Sequence, residues 1–334
     1  MFKNERILIT GATGFIGRHL VYELLERGYT GLHLLVRRTS DVSPFHGRDV
    51  SFVYGDISDP VSLGAIEGAF DVVYHCAGYV NNTDRPRLWR YNVRGTENVC
   101  RQALRRGVRR FIYVSSVAVV SGHDVVPLHE DLPMRPTRST YNYSRSKIEA
   151  EKAALEYRAR GLPMVIVRPP MVYGEGEPHA TGILMRLIRL RLLPIVGGGH
   201  ARMHMVYVRN LASFLVECLE NGSAAGGTFF VADREALTVR EVFTALARGA
   251  GFSEPALMPE PLSRLLTGLP LLGKKFAFMS KDRVYDVSRA MALGWTPPMT
   301  AREALLRTGA FYSNMSTGTQ AGEECENEGI SVDQ

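Results

Sequence analysis

Tyr143 and Lys147 stand four residues apart in the run Tyr143-Ser144-Arg145-Ser146-Lys147. On a helix that spacing sets a phenol and an ammonium on one face, one turn apart. A phenol of ordinary pKa, about 10, is a poor base near neutrality, but a neighbouring cation favours its anion. Such a pair can exchange a proton with a substrate hydroxyl or carbonyl while hydride moves to or from a second molecule. The same oxygen needs a hydrogen-bond donor to hold it, and Ser116, at the end of the β-branched run 110–115, is the candidate. A helix start with a half-buried tyrosine and a surface lysine is the plainer alternative. Tyr141 offers no second pair, since Arg145 stands four residues on.

Hydride chemistry needs a carrier, and the first strand pattern, 7–10, runs straight into Gly11-Ala12-Thr13-Gly14-Phe15-Ile16-Gly17 and then an apolar helical face. Glycines in that context turn the chain tightly, admit a pyrophosphate close to backbone and let helix touch strand. Free N–H groups at the helix start then meet the phosphate charge. The residues expected to bind the cofactor here are Gly11, Thr13, Gly14, Phe15, Ile16 and Gly17. At the end of the second strand, where NAD-specific proteins keep an acid for the ribose 2′-hydroxyl, stand Arg37 and Arg38. Guanidinium groups suit a 2′-phosphate, so NADP(H) is favoured over NAD(H), with nearby Asp41 keeping NAD(H) as the alternative. Asp56 and Ile57 follow the third strand, where an adenine would lie, although Asp56 could equally cap the next helix. Cys76, Ala77 and Gly78 end the fourth strand with small side chains past which a cofactor can run.

These positions require a frame. Short apolar runs at 7–10, 31–36, 51–54, 72–76, 110–115 and 164–168 alternate with helical patterns at 15–27, 61–68, 89–106 and 143–160. That alternation predicts an α/β, Rossmann-type doubly wound parallel sheet with ligands at the strands' carboxyl ends. After Pro170 the rhythm breaks, a basic amphipathic helix is expected over 182–193, and returns to the sheet are expected at 206–208 and 228–231. The division is therefore a dinucleotide-binding domain over 1–172 with returns near 204–233, and a smaller, interleaved C-terminal substrate lobe over 173–311. Residues 312–334 carry Glu323, Glu324, Glu326, Glu328 and Asp333 and little apolar content, as in a disordered tail.

The chain has 334 residues, 45% of them hydrophobic and 22% charged, which excludes a disulfide miniprotein and a wholly disordered chain. A net charge of +6, with arginines scattered rather than clustered, speaks against nucleic acid and suits an anionic cofactor. Cys76, Cys100, Cys218 and Cys325 form no metal-binding spacing, so no metal is expected and reduced, cytoplasmic thiols are. A strand pattern so near the first residue leaves no room for a signal peptide, and no apolar run reaches the roughly 18 to 20 residues that cross a bilayer.

The glycine loop, Asn92-Val93-Arg94-Gly95-Thr96, Val114-Ser115-Ser116, Tyr143 to Lys147 and Arg168-Pro169-Pro170-Met171-Val172-Tyr173-Gly174 together resemble the extended short-chain dehydrogenase/reductase family over about residues 5–310. The resemblance implies catalytic Ser116, Tyr143 and Lys147, with Lys147 also reaching the ribose hydroxyls, Pro170 and Val172 beside the nicotinamide, and a homodimer through 89–106 and 143–160. Asn92 matches a family asparagine, or simply ties a helix to the sheet. The 3β-hydroxysteroid dehydrogenase and dihydroflavonol reductase branch is the nearest likeness, carried by Val206-Tyr207-Val208-Arg209-Asn210. Arg202 lies one residue off the place where sugar-nucleotide members keep an arginine. Tyr79, Val80, Val117, Val119, Val120, Met171 and Met203 are expected to line an apolar pocket, which implies a small hydrophobic, sterol-like alcohol or ketone. Leucines followed by Lys274 and Lys275 within 261–279 allow peripheral membrane contact, or a buried lobe helix. The alternatives are a nucleotide-sugar epimerase or dehydratase, and a non-catalytic NADP(H)-sensing protein.

Overall fold

The computed structural model describes residues 3–259, 261–263, 279 and 281–316. Its strands are β1 (Ile7–Thr10), β2 (Leu32–Val36), β3 (Ser51–Tyr54), β4 (Val72–His75), β5 (Arg110–Val114), β6 (Met164–Arg168), β7 (Val172–Tyr173), β8 (Arg202–Met203), β9 (Val206–Tyr207), β10 (Thr228–Phe230) and β11 (Leu237–Thr238). Its helices are α1 (Phe15–Glu26), α2 (Pro60–Gly64), α3 (Arg85–Leu88), α4 (Gly95–Arg105), α5 (Tyr141–Ala159), α6 (Thr181–Arg189), α7 (Val208–Glu220), α8 (Val239–Gly249), α9 (Ser288–Met291) and α10 (Ala301–Ser316). Two compact units divide the chain: one of Met1–Met171, Val208–Ala232 and Tyr285–Pro298, the other of Val172–Tyr207, Asp233–Val284 and Met299–Gln334.

The first unit holds a seven-stranded sheet in the order β10-β6-β5-β4-β1-β2-β3, parallel throughout. Strands β1, β4 and β6 are buried at every residue, the mark of a parallel sheet covered on both faces, and this is why they read as unbroken apolar runs. On one face Leu8, Val73, Phe111 and Ile166 pack with Val99 and Ala103 of α4 and Ala154 and Tyr157 of α5. On the other, the Tyr74 hydroxyl donates to the Leu215 carbonyl of α7 at 3.1 Å. Strand order reverses between β1's neighbours β2 and β4, and there the carboxyl ends open a crevice.

Several expectations shift. The run 206–208 does not return to the large sheet: β9 pairs in parallel with β7 in a two-stranded sheet of the second unit, and Val208 already begins α7. Only β10 joins the large sheet, beside β6. Residues 89–106 are not one α-helix, because Trp89–Arg94 is π-helical and regular geometry starts at Gly95. Val172 and 204–207 belong to the second unit, while 285–298 belongs to the first. Helix α10 continues to Ser316, into the stretch expected to be a tail; residues beyond it, and 264–278 of the leucine-rich segment, lie outside the described residues. Among the described residues no helix is long and apolar enough to cross a membrane.

In the second unit α8 and α10 cross closely, since a β-carbon on Gly249 would fall 2.1 Å from the Leu306 carbonyl oxygen. Helix α8 opens on a reciprocal cap: Thr238 Oγ1 accepts from Glu241 N at 3.2 Å, and Glu241 Oε2 accepts from Thr238 N at 2.9 Å.

Phe214 of α7 is fully buried in the first unit, its ring 5.7 Å from Phe229 and 5.0 Å from Trp295. Phe214→Ala should cost about 3–5 kcal/mol, mostly from the cavity left behind, read as a lower urea midpoint at unchanged slope.

Candidate active site

Backbone crowding defines the cofactor loop. Gly11 has φ +70°, and a β-carbon there would lie 2.6 Å from the Cα and N of Ala77. A β-carbon on Gly17 would lie 2.0 Å from the Gly11 oxygen. The loop is thus pressed at once onto the end of β4 and onto its own helix, an approach no larger residue permits. Gly14 caps α1 with an extended backbone and no side-chain acceptor, and the first turn carries no acid, so its N–H groups face outward without a competing anion. Cys76 N donates to Thr10 O at 3.1 Å, and Ala77 N to Thr10 Oγ1 at 3.4 Å, holding 76–78 against the loop. Thr10 is held in turn by buried His75, whose Nδ1 lies 2.7 Å from Thr10 Oγ1 and whose Nε2 lies 3.0 Å from Thr96 Oγ1. Burial, aided by Lys147, pulls that imidazole down to about 3, so it is neutral.

At the end of β2, Arg37 and Arg38 are both exposed, and the Arg38 guanidinium lies 5.3 Å over the Tyr54 ring. Asp41 accepts from Ser43 N at 2.9 Å, which lowers its pKa and spends it on a local turn. Asp56 Oδ1 accepts from Ser58 N at 2.7 Å, while Asp59 is the cap of α2. Ile57 turns inward, where its Cδ1 would lie 2.7 Å from a β-carbon on Gly95, so only its backbone is available to an adenine.

Of the three expected catalytic residues, Ser116 acts on the Tyr143 phenol, whereas Lys147 is tied to the end of β5. Ser116 caps a short 3₁₀ turn, its Oγ accepting from Ala118 N at 3.1 Å, which leaves its hydrogen free to donate. Tyr143 is half-buried; burial raises its pKa and the Ser116 hydroxyl opposes the rise. Lys147 is buried, donates from Nζ to Val114 O at 3.2 Å, and lies 3.9 Å from where a Gly78 β-carbon would stand. Desolvation brings it down to about 8, against the pull of Glu151 and Cys76. The sequence suggested that the ammonium acts on the phenol directly. Instead it is anchored on the strand end, and Ser116 is the group that favours the phenolate.

Asn92 lies in the π-helical stretch, whose extra residue per turn re-aims its amide inward. The side chain accepts from Tyr79 N at 2.7 Å and donates to Tyr79 O at 2.9 Å and to Ser146 Oγ at 2.9 Å. Sequence reasoning missed Asn82, whose Oδ1 accepts from Tyr143 N at 3.0 Å and caps α5 from outside. No local spacing signals it. It also missed the role of Glu151, one turn beyond Lys147, although its position on the lysine's own face was visible.

The expected apolar lining is scattered. Val80 and Met171 are exposed and Tyr79 half-buried, whereas Val117, Val119 and Val120 pack with Ile148, Phe230 and Tyr285 in the core, their surface spent there. Met203 is buried in β8 of the second unit, pairing with Leu237. Pro170 is buried at the end of the first unit, and Val172 opens β7.

A switch-point crevice with a phosphate-ready loop and a Ser-Tyr-Lys cluster defines a nicotinamide-dinucleotide-dependent enzyme. The model of the NAD dependent epimerase/dehydratase family matches residues 7–232, and the chain belongs to that family, the extended short-chain dehydrogenases/reductases. It is 28% identical to the 3 beta-hydroxysteroid dehydrogenase/Delta 5-->4-isomerase of Mycobacterium tuberculosis, over 93% of this chain and 91% of that protein. It is 30% identical to the UDP-glucose 4-epimerase of Vibrio cholerae, over 92% and 95%. The crystal structure of gox2253 superposes with a TM-score of 0.76 at 29% identity, covering 94% of this chain and 99% of that one.

Gly17→Ala should lower stability by about 2 kcal/mol or more, seen as a lower thermal midpoint, because its methyl meets backbone that cannot move aside. Lys147 carries its charge below about 8 and loses it above, so dinucleotide affinity should weaken as pH rises through that value. A fluorescence titration of NADPH from pH 6 to 10 checks it; a flat profile counts against the ammonium as a ribose anchor.

Proposed function

We propose that this protein is an NADP(H)-preferring oxidoreductase that interconverts a secondary alcohol and a ketone on a hydrophobic, sterol-like molecule. One observation supports the substrate class: apolar side chains stand exposed in the segments that lead up to Asn82 and out of β6. Val80, two residues before the Asn82 that caps α5 at Tyr143, is 48% exposed. Met171, 47% exposed, follows the proline pair whose Pro169 carbonyl accepts from Val117 N at 3.1 Å. Exposed apolar groups around a polar reacting centre favour a ligand that buries hydrocarbon.

Bound at the glycine loop, the nicotinamide cofactor supplies the hydride acceptor or donor. In oxidation Tyr143 takes the proton of the substrate hydroxyl as the carbon gives up its hydride; in reduction it returns that proton. Ser116 donates its free hydrogen to the same oxygen. Lys147 holds the ribose and keeps positive charge beneath the phenol. Arg37 and Arg38 support NADP(H), with Asp41 already engaged by Ser43.

The Vibrio cholerae relative favours a second reading, nucleotide-sugar epimerisation. Against it stands Arg202, which spends its guanidinium on Asp282, with Nε and Nη2 at 3.1 and 3.0 Å from Oδ2.

A panel of 3β-hydroxysteroids and UDP-sugars, followed at the nicotinamide absorbance, separates these: steroid turnover with net absorbance change is expected, and UDP-sugar conversion without it would favour the epimerase. Tyr143→Phe should lower kcat by about 1000-fold while leaving NADPH affinity within a few-fold, since the loss is of proton transfer rather than binding. Arg38→Ala should raise KM for NADPH about tenfold and leave KM for NADH unchanged, as expected of one lost phosphate contact.

A further inference from the structure

Glu151 is completely buried, one turn along α5 from Lys147. Its carboxylate receives Arg168 Nη2 at 2.5 Å and Nε at 3.1 Å, and Ser115 Oγ at 2.5 Å. Arg168 extends the cluster through Nη1 to Glu130 O at 2.9 Å. Stability alone does not account for such a cluster, because desolvating an ion pair consumes most of what its attraction returns. Its placement is more informative, since Ser115 immediately precedes Ser116.

The groups facing Lys147 from each packed element are few. His75 of β4 is held neutral, the Cys76 thiol is pushed up to about 12, and burial also raises the phenols of Tyr113 on β5 and Tyr143 on α5. Among these described neighbours Glu151 is the carboxylate, and its charge opposes the loss of the Lys147 proton, while Arg168 of β6 is its own counter-ion. Remove the Glu151 carboxylate, and the larger of the two charges that oppose the desolvation of Lys147 is gone.

We propose that Glu151 is a positioning residue, a buried carboxylate that keeps Lys147 in its ammonium form and, through Ser115, fixes the strand end that carries Ser116. This rests on the reading of Ser116, Tyr143 and Lys147 given above. It also explains why a carboxylate, rather than an apolar side chain, occupies the centre of a packed helix–sheet contact.

The test is a direct titration of Lys147 in the intact protein, by NMR of 13Cε-labelled lysine, with its signal assigned as the one missing from Lys147→Met. Glu151→Gln should move the midpoint down by about one pH unit, the size of one close charge interaction lost from a desolvated site. Glu151→Asp, which keeps the charge, should return it toward wild type. Should the single variant fail to fold around its unpaired guanidinium, Glu151→Gln/Arg168→Met removes that burden and should show the same downward shift. The alkaline limb of kcat/KM should follow the midpoint. A Lys147 midpoint at the wild-type value in the Gln variant that folds overturns the proposal. Failure of the catalytic reading would look different: Tyr143→Phe would stay active while the Lys147 midpoint still moved.

Discussion

Keeping a cation charged where water has been removed is the constraint on which the site depends. Lys147 is buried, its ammonium on the carbonyl at the end of β5, and desolvation works to strip its proton. The fold answers with a carbonyl at the end of β5 and a carboxylate one turn along the helix, and the carboxylate then needs Arg168 on β6 and Ser115. Three adjacent elements are thereby tied through polar groups at one depth. The catalytic side chains are held by bonds that are themselves buried, so small displacements are costly.

The second constraint is steric. At the switch point the chain passes within contact of itself twice, Gly11 on Ala77 and Gly17 on Gly11, and this sets the start of α1 against the end of β4. The covered parallel sheet makes such closeness affordable, because its strands are rigidly set by apolar packing on both faces. Thr10, His75 and Thr96 carry the same order one layer down as a closed hydrogen-bond chain around a neutral imidazole.

Relatives in this family include a steroid dehydrogenase and a sugar-nucleotide epimerase, at similar identity and coverage. What they have in common with this chain is the frame that moves a hydride and a proton; what distinguishes substrates lies in groups around it. Here Val80 and Met171 stand exposed, and Arg202 is held by Asp282.

The sheet strands were legible because a strand covered on both faces must be apolar throughout, and the glycine loop because only glycine survives those contacts. The placing of Ser116 just past β5 and of Tyr143 and Lys147 one turn apart on α5 was legible because helical spacing and strand ends are local facts. The break in 89–106 was not, since a π-helical turn is set by where Asn92 must reach rather than by its own residues. The partnership of β9 with β7, the cap that Asn82 places on α5, and the loss of Val117, Val119 and Val120 to the core were likewise invisible. Sequence by itself determined which chemistry the chain carries and on which elements, because residue type and spacing act along the backbone. Only tertiary structure decided that Lys147 is anchored on a strand carbonyl rather than on the phenol, because charge is governed by distance and desolvation, and both arise when segments far apart in the chain close around one point.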